Sequence, residues 1–290
     1  VGESGCGKSS AARAILRLED NVEGQVFFRG VDIMTLSMGT MRRTRRDIQM
    51  VFQDPFSSLD PRMRVGDIVA EPLDIHGLAT GRLRAERVMD LLNTVGLDRA
   101  CVERFPHEFS GGQRQRIGIA RALAAEPSFI ICDEPVSALD VSIQAQIVNL
   151  LKDLQVQLGL TYLFISHDLS VVRHISDRIA VMYLGRIVEL APRDALFDSP
   201  MHPYTQMLLE AVLIPDPRKA RSKRRSGVLG ELPCPTDTNS GCTFRTRCRF
   251  ERPICAVERP AFDEVTPGRF VACHFWRETQ HETPAVTAMQ

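Results

Sequence analysis

Eight residues near the start of the chain restrict its fold more than any other feature. Gly2-Glu3-Ser4-Gly5-Cys6-Gly7-Lys8-Ser9, followed by Ser10, satisfies G-x-x-x-x-G-K-[ST] at each fixed position. Glycines let such a loop curl until its backbone N–H groups face phosphate oxygens, and a helix opening at Lys8 adds the positive end of its dipole. On this reading Lys8 reaches the β- and γ-phosphates and the Ser9 hydroxyl coordinates Mg²⁺. Cys6 fills a free position and reads as a small loop residue rather than a redox switch. A glycine-rich turn capping a helix has the same local look, so the rest of a nucleotide site must be sought further along.

The pattern after the loop is that of an α/β protein. A helix is predicted over Lys8–Leu18, a hairpin over Gly24–Ile33 and a short strand over Ile48–Phe52. Val65–Gly96 reads as mostly helical with a break at Pro72; Val88, Leu91, Leu92 and Val95 mark one apolar face. A further helix follows Gly111-Gly112 and stops before Pro127. Phe129–Cys132, Tyr162–Ile165 and Ile179–Leu184 read as strands. The helical stretch Ser142–Leu158 between the first two gives the rhythm of a parallel sheet. The first apolar strand ends in Asp133-Glu134, and such groups emerge at the carboxyl edge of a sheet, where α/β proteins bind ligands. Asp133 is then the Mg²⁺ carboxylate and Glu134 the base that polarises water.

Composition removes several classes. The 290 residues hold 36 basic and 36 acidic side chains, 44% hydrophobic and 25% charged residues. This is globular rather than disordered, and zero net charge argues against a general nucleic-acid binder. No uncharged apolar run approaches about 18 residues and no basic-then-apolar leader opens the chain, so it reads as neither membrane-spanning nor secreted. Val1 precedes the loop directly, and the chain reads as starting inside a domain whose upstream strands are missing.

Phe109-Ser110-Gly111-Gly112-Gln113 decides the family. Ser110 and the two glycines open a helix 23 residues before Asp133, in a chain that already carries a phosphate loop. Ser110–Gln113 resembles the signature motif of ATP-binding-cassette (ABC) ATPases, with Phe109 where leucine is commoner. The resemblance places the other elements in order. Gln53 falls in the glutamine loop that touches Mg²⁺ and couples to the membrane partner. Ser137-Ala138-Leu139-Asp140 matches the D-loop that crosses the dimer interface, and His167 the switch histidine that senses the γ-phosphate. It implies that Ser110, Gly111, Gly112 and Gln113 act in trans on a partner subunit, and that catalysis rests on Glu134, His167 and Gln53. Mg²⁺ falls to Ser9, Gln53 and Asp133. The fold implied is an α/β P-loop ABC ATPase domain over 1–213 with a helical subdomain at about 55–125. Strands before the loop and the aromatic residue that stacks on adenine are absent from the sequence.

Phe52–Met63, Val181–Glu189, His202-Pro203-Tyr204 with Leu208-Leu209, and the tail after Pro233 resemble the oligopeptide/dipeptide importer ATPases, relatives for nickel and glutathione included. That group implies a type I importer at the cytoplasmic face of a bacterial membrane. Its parts are a second ATPase subunit, identical or paralogous, two permease subunits, and indirectly an extracytoplasmic binding protein. The alternative is a soluble ABC ATPase acting on nucleic acid or ribosomes, but the chain lacks the long insertions or second cassette usual there. A non-hydrolysing module would be expected to lack Glu134.

The tail carries the remaining signal. Arg218–Arg225 holds six basic residues in eight and reads, within 214–232, as a solvated linker, with anionic headgroups as the alternative. Arg42–Arg46, with four arginines, reads as a solvated face. Over 233–290, Cys242, Cys248, Cys255 and Cys273 are spaced C-x5-C-x6-C-x17-C, with Cys234 spare. In a cytosolic-looking chain this favours metal over disulfides, and none of the gaps is the short zinc knuckle. Gly241–Cys248 resembles the [4Fe–4S]-binding element of the oligopeptide-importer tail, which favours a cluster over Zn²⁺.

Overall fold

A computed structural model of the chain describes residues 1–20, 22–211 and 240–281. The chain divides into two compact units, Ser9–Ser166 and Val1–Lys8 with His167–Gln290. The predicted linker at 214–232 and Cys234 lie outside the described residues.

In the first unit, α1 (Lys8–Ile15) stops three residues before the predicted end. Arg17 takes a left-handed φ of 53° there. Its carbonyl and that of Leu16 accept from the Arg45 guanidinium at 2.8–3.1 Å, a cation at a helix C-terminus. β1 (Phe27–Phe28) and β2 (Val31–Asp32) pair around Arg29-Gly30, both at positive φ, as a two-residue hairpin turn requires. The arginine run predicted as a solvated face lies on α2 (Met38–Asp47), whose N-terminus Ser37 caps. Arg45 is thus structural, while Arg42 and Arg43 are exposed.

β3 (Ile48–Val51), β4 (Phe129–Asp133) and β5 (Thr161–Ile165) form a parallel sheet with β4 in the centre. Ile130, Ile131 and Cys132 are at most 1% exposed, the continuous apolar run expected of a central parallel strand. Against this sheet Ala12, Leu16, Ile33, Met41, Ile48, Met50, Ile131 and Ile165 form one core cluster. α3 (Val65–His76), α4 (Gly81–Thr94) and α5 (Gly111–Ala124) pack on one another. Pro72 does not break α3. The helix runs on until Gly77, whose φ of 63° forms the C-cap. Val65, Ile68, Val69 and Leu73 are each at most 2% exposed. At about 1.5–3 kcal/mol per buried side chain they outweigh the roughly 3 kcal/mol that an interior proline costs. α6 (Val141–Leu158) joins β4 to β5.

The second unit holds α7 (Leu169–Ile175), β6 (Arg178–Tyr183), β7 (Arg186–Pro192), α8 (Arg193–Asp198), α9 (Pro203–Ala211), α10 (Pro253–Val257), β8 (Asp263–Thr266), β9 (Arg269–Val271) and α11 (Trp276–His281). Only β6 is predicted from sequence. Its neighbours form an antiparallel sheet in the order β6-β7-β9-β8, so strands on both sides of residues 214–232 share one sheet. Glu189 of β7, 1% exposed, accepts from the N–H groups of Met201 and His202 at 2.8 and 2.9 Å and ties down the approach to α9. Burial raises its pKa.

Candidate functional site

Strand register assembles the acidic half of the site within the first unit. Val51 pairs with Cys132 and Asp133 with Ile165, so the carboxyl ends of β3, β4 and β5 form one edge. Ser9 lies in the first turn of α1, and its Oγ donates to Asp133 Oδ1 at 2.8 Å across 124 residues of sequence. A hydroxyl and a carboxylate in contact are the hard oxygen donors that suit Mg²⁺. One residue on, Glu134 Oε2 accepts from Gln53 Nε2 at 3.0 Å. Gln53 is exposed, two positions beyond β3, whereas Glu134 is 8% exposed and Asp133 2%. Glu134 also holds a left-handed φ of 44°, which costs a residue with a Cβ of order 1–3 kcal/mol. Its N–H is anchored on Ile165 O at 3.0 Å, and its carbonyl accepts from Ser137 Oγ at 3.1 Å.

Ser110 caps α5 through a reciprocal pair: its Oγ accepts from Gln113 N–H at 3.4 Å, and Gln113 Oε1 accepts from Ser110 N–H at 3.0 Å. The glycines answer a packing need. A Cβ on Gly111 would stand 3.1 Å from Leu139 Cδ2, and one on Gly112 only 2.5 Å from Ile143 Cγ2. Ser110–Gln113 and Ser137–Asp140 of one chain are therefore in contact through Leu139. Ser110, Gln113, Ala138 and Asp140 are exposed. Sequence reasoning missed Arg114, whose buried guanidinium stacks 3.7 Å over Phe56 and donates to Pro106 O at 2.7 Å. Arg121, on the same helix, donates to Ser58 O at 2.7 Å. No spacing rule in the sequence marks these two arginines.

In the second unit the loop Gly2–Lys8 is held against the β6–β7 hairpin. Gly185 N–H donates to Cys6 O at 2.8 Å. A Cβ on Gly2, whose φ is 154°, would stand 2.2 Å from Met182 O. Lys8 Nζ donates to Gly2 O at 2.9 Å and Glu3 O at 3.0 Å, turned back on its own loop. Ser4 and Gly5 are exposed, and Cys6 is buried at 3%. His167 is exposed just before α7.

Cys242, Cys248, Cys255 and Cys273 line one small cavity with His202, Phe244 and other residues. Burial pushes the Cys248 thiol up to about 11 and Cys273 up to about 12, and raises Cys242. All four are free thiols. Among the described residues, no group of three His, Cys, Asp or Glu side chains is placed to hold a metal ion. Also among them, no helix is long and apolar enough to cross a membrane.

Comparison with known proteins finds close relatives of the chain. The family model "ABC transporter" matches residues 1–137, and "Oligopeptide/dipeptide transporter, C-terminal region" matches residues 188–255. The chain is 55% identical over 277 residues to the oligopeptide transport ATP-binding protein AppF of Bacillus subtilis (strain 168), covering 95% of this chain and 84% of the relative. Among solved structures it resembles the ATP-binding cassette MJ0796, a dimer in a post-hydrolysis state bound to ADP and Pi. There the TM-score is 0.60 at 33% identity, over 66% of this chain and 83% of that one. It also resembles cbiO1 of Clostridium perfringens, part of the cbiONQ transporter complex, with a TM-score of 0.60 at 27% identity, over 68% of this chain and 77% of that one.

Proposed function

The chain belongs to the ABC ATPases of oligopeptide transporters, and on that premise we propose how its residues hydrolyse ATP to drive peptide import. The Gln53–Glu134 contact carries the reading: a buried carboxylate beside the sheet edge is aimed by an exposed amide that a membrane partner can move. Lys8 releases its loop carbonyls and turns to the β- and γ-phosphates, while backbone N–H groups from Gly2 to Ser10 cradle the oxygens. Ser9, Asp133 and Gln53 would hold Mg²⁺, which supplies charge stabilisation of the phosphates when bound. Glu134 accepts a proton from the attacking water, and His167 donates to the γ-phosphate. Ser110, Gly111, Gly112 and Gln113 close over the nucleotide of a partner ATPase, with the loop Ser137–Asp140 at the shared interface.

The partners of this reading are a second ATPase subunit, two permease subunits and, through them, an extracytoplasmic binding protein. The chain sits peripherally on the cytoplasmic face of a bacterial membrane. Reconstituted with its permeases in proteoliposomes, the full-length protein should hydrolyse ATP faster when peptide-loaded binding protein is added. RNA, DNA and ribosomes should leave the rate unchanged. Stimulation by nucleic acid or ribosomes, with none by the loaded binding protein, would overturn the importer reading.

The four-cysteine element is read as a [4Fe–4S] site. All four donors are sulfur and line one cavity, the donor set of a Cys-ligated cluster. The cluster's chemistry would be structural, drawing the four thiols into thiolate ligation. Anaerobically purified full-length protein should be brown, and Cys255→Ser should remove the colour. Colourless protein with stoichiometric zinc would overturn the cluster, and protein without metal the site.

A further inference from the structure

Arg247 lies between Cys242 and Cys248, at the end of the short turn Arg245–Arg247. Its side chain is only 4% exposed, and both terminal nitrogens engage one carboxylate: Nη1 donates to Glu3 Oε2 at 2.8 Å and Nη2 to Glu3 Oε1 at 3.0 Å. Glu3 belongs to the glycine-rich loop, 244 residues away. The same residue is held at two further points. Its N–H donates to Tyr204 Oη at 2.9 Å, and its carbonyl accepts from Lys8 Nζ at 3.0 Å. A bidentate arginine–carboxylate pair whose arginine is buried fixes position as well as distance, which a fully exposed pair does not.

The turn that presents Arg247 is itself anchored to the cysteines. Cys242 N–H donates to Cys255 O at 2.7 Å, and Gly241 adopts a φ of 67° where a Cβ would stand 2.2 Å from that oxygen. Phe244, 2% exposed, is wedged against Tyr183, Tyr204 and His202 with ring centroids 5.2–5.7 Å apart. Arg247 N–H then donates to Phe244 O at 3.1 Å, and the guanidinium lies 5.9 Å from the Tyr183 ring centre. Cys242 and Cys248 thus face the thiol cavity from the segment whose arginine grips the loop.

We propose that Arg247 is a positioning residue for the phosphate loop: it holds Glu3, and through it the path of the loop backbone, so that the cysteine-bearing tail sets the affinity for ATP. This rests on Gly2–Ser9 being the phosphate loop. Removing Glu3's carboxylate leaves the buried Arg247 charge uncompensated, and removing Arg247 frees the loop that carries Glu3 to move.

In the full-length protein, Arg247→Met should raise the KM for ATP about tenfold and leave kcat within about twofold. Glu3→Gln, an isosteric change on the other partner, should act in the same direction. The double variant should be no worse than Arg247→Met alone, as expected of residues acting as a pair. Arg247→Lys keeps the charge without the fork and should recover only part of the loss. Cys255→Ser should raise KM in the native background and have little further effect on Arg247→Met. Lys8→Ala separates the two layers of the argument. If it abolishes nucleotide binding while Arg247→Met and Glu3→Gln keep native KM values, the positioning role is overturned. If Lys8→Ala binds ATP normally, the phosphate-loop reading itself falls. A lower Tm and kcat with unchanged KM in Arg247→Met would reduce the residue to a fold contact. Equal effects of Cys255→Ser in both backgrounds would sever the link to the cysteines.

Discussion

Glu134→Gln should cut ATP turnover by about 10²–10⁴-fold while leaving ATP binding close to native. The substitution is isosteric, so the left-handed backbone at this position is carried as before, and the amide oxygen still accepts from Gln53. What is lost is the ability to take a proton from water, and with it the chemical step alone. Bound nucleotide then persists, and the two-subunit form it stabilises should accumulate. Single-turnover hydrolysis of labelled ATP, with gel filtration in its presence, checks both halves. Near-native turnover by the full-length variant would remove Glu134 from the role of base.

Gly241→Ala should unfold the cysteine element and spare the parallel sheet. The residue needs a φ of 67°, and the new Cβ would meet three backbone atoms of Cys255 and Ala256 at 2.2–2.7 Å. Backbone cannot swing aside as a side-chain tip can, so the cost is about 3 kcal/mol or more, an effect at the severe end for one methyl group. Amide exchange across 242–255 should then accelerate by roughly 10²-fold, with protection of β3, β4 and β5 unchanged. Native protection of 242–255 in the variant would show that the turn has room that its geometry denies.

The sheet edge was legible because its chemistry is written in short linear patterns. Phe129–Asp133 announces a buried strand by its apolar run and ends in acids, and the glycine loop announces α1. That Ser9 and Asp133 meet across 124 residues follows from strand order rather than from either pattern alone. Elements set by tertiary partners were not legible. Pro72 signals a break, yet the buried face of α3 overrides it. β7 alternates weakly and β9 has three residues, so their strand character rests on pairing with each other and with β6 and β8. The cysteines drew attention to their own spacing, while Arg247, in the same few residues, carries no pattern that separates it from a solvated arginine. Its partner is a loop residue at a position the motif leaves free.

The pairing of β9 with β7 also bears on how the protein stays apart from its own copies. Glu189 and Leu190 sit opposite Val271 and Phe270, and Ala272 N–H donates to Val188 O at 2.9 Å. Without that late segment, the row of amides and carbonyls along Val188–Leu190 would be an open strand edge beside half-exposed Ile187. Such an edge recruits strands from other molecules as readily as from its own chain. During synthesis the β6–β7 hairpin emerges well before β9 and stays unguarded for that interval. The tail therefore pairs this edge within the chain and leaves as the outer strand β8, four residues long and opening on Asp263 and Glu264, whose charges discourage further pairing.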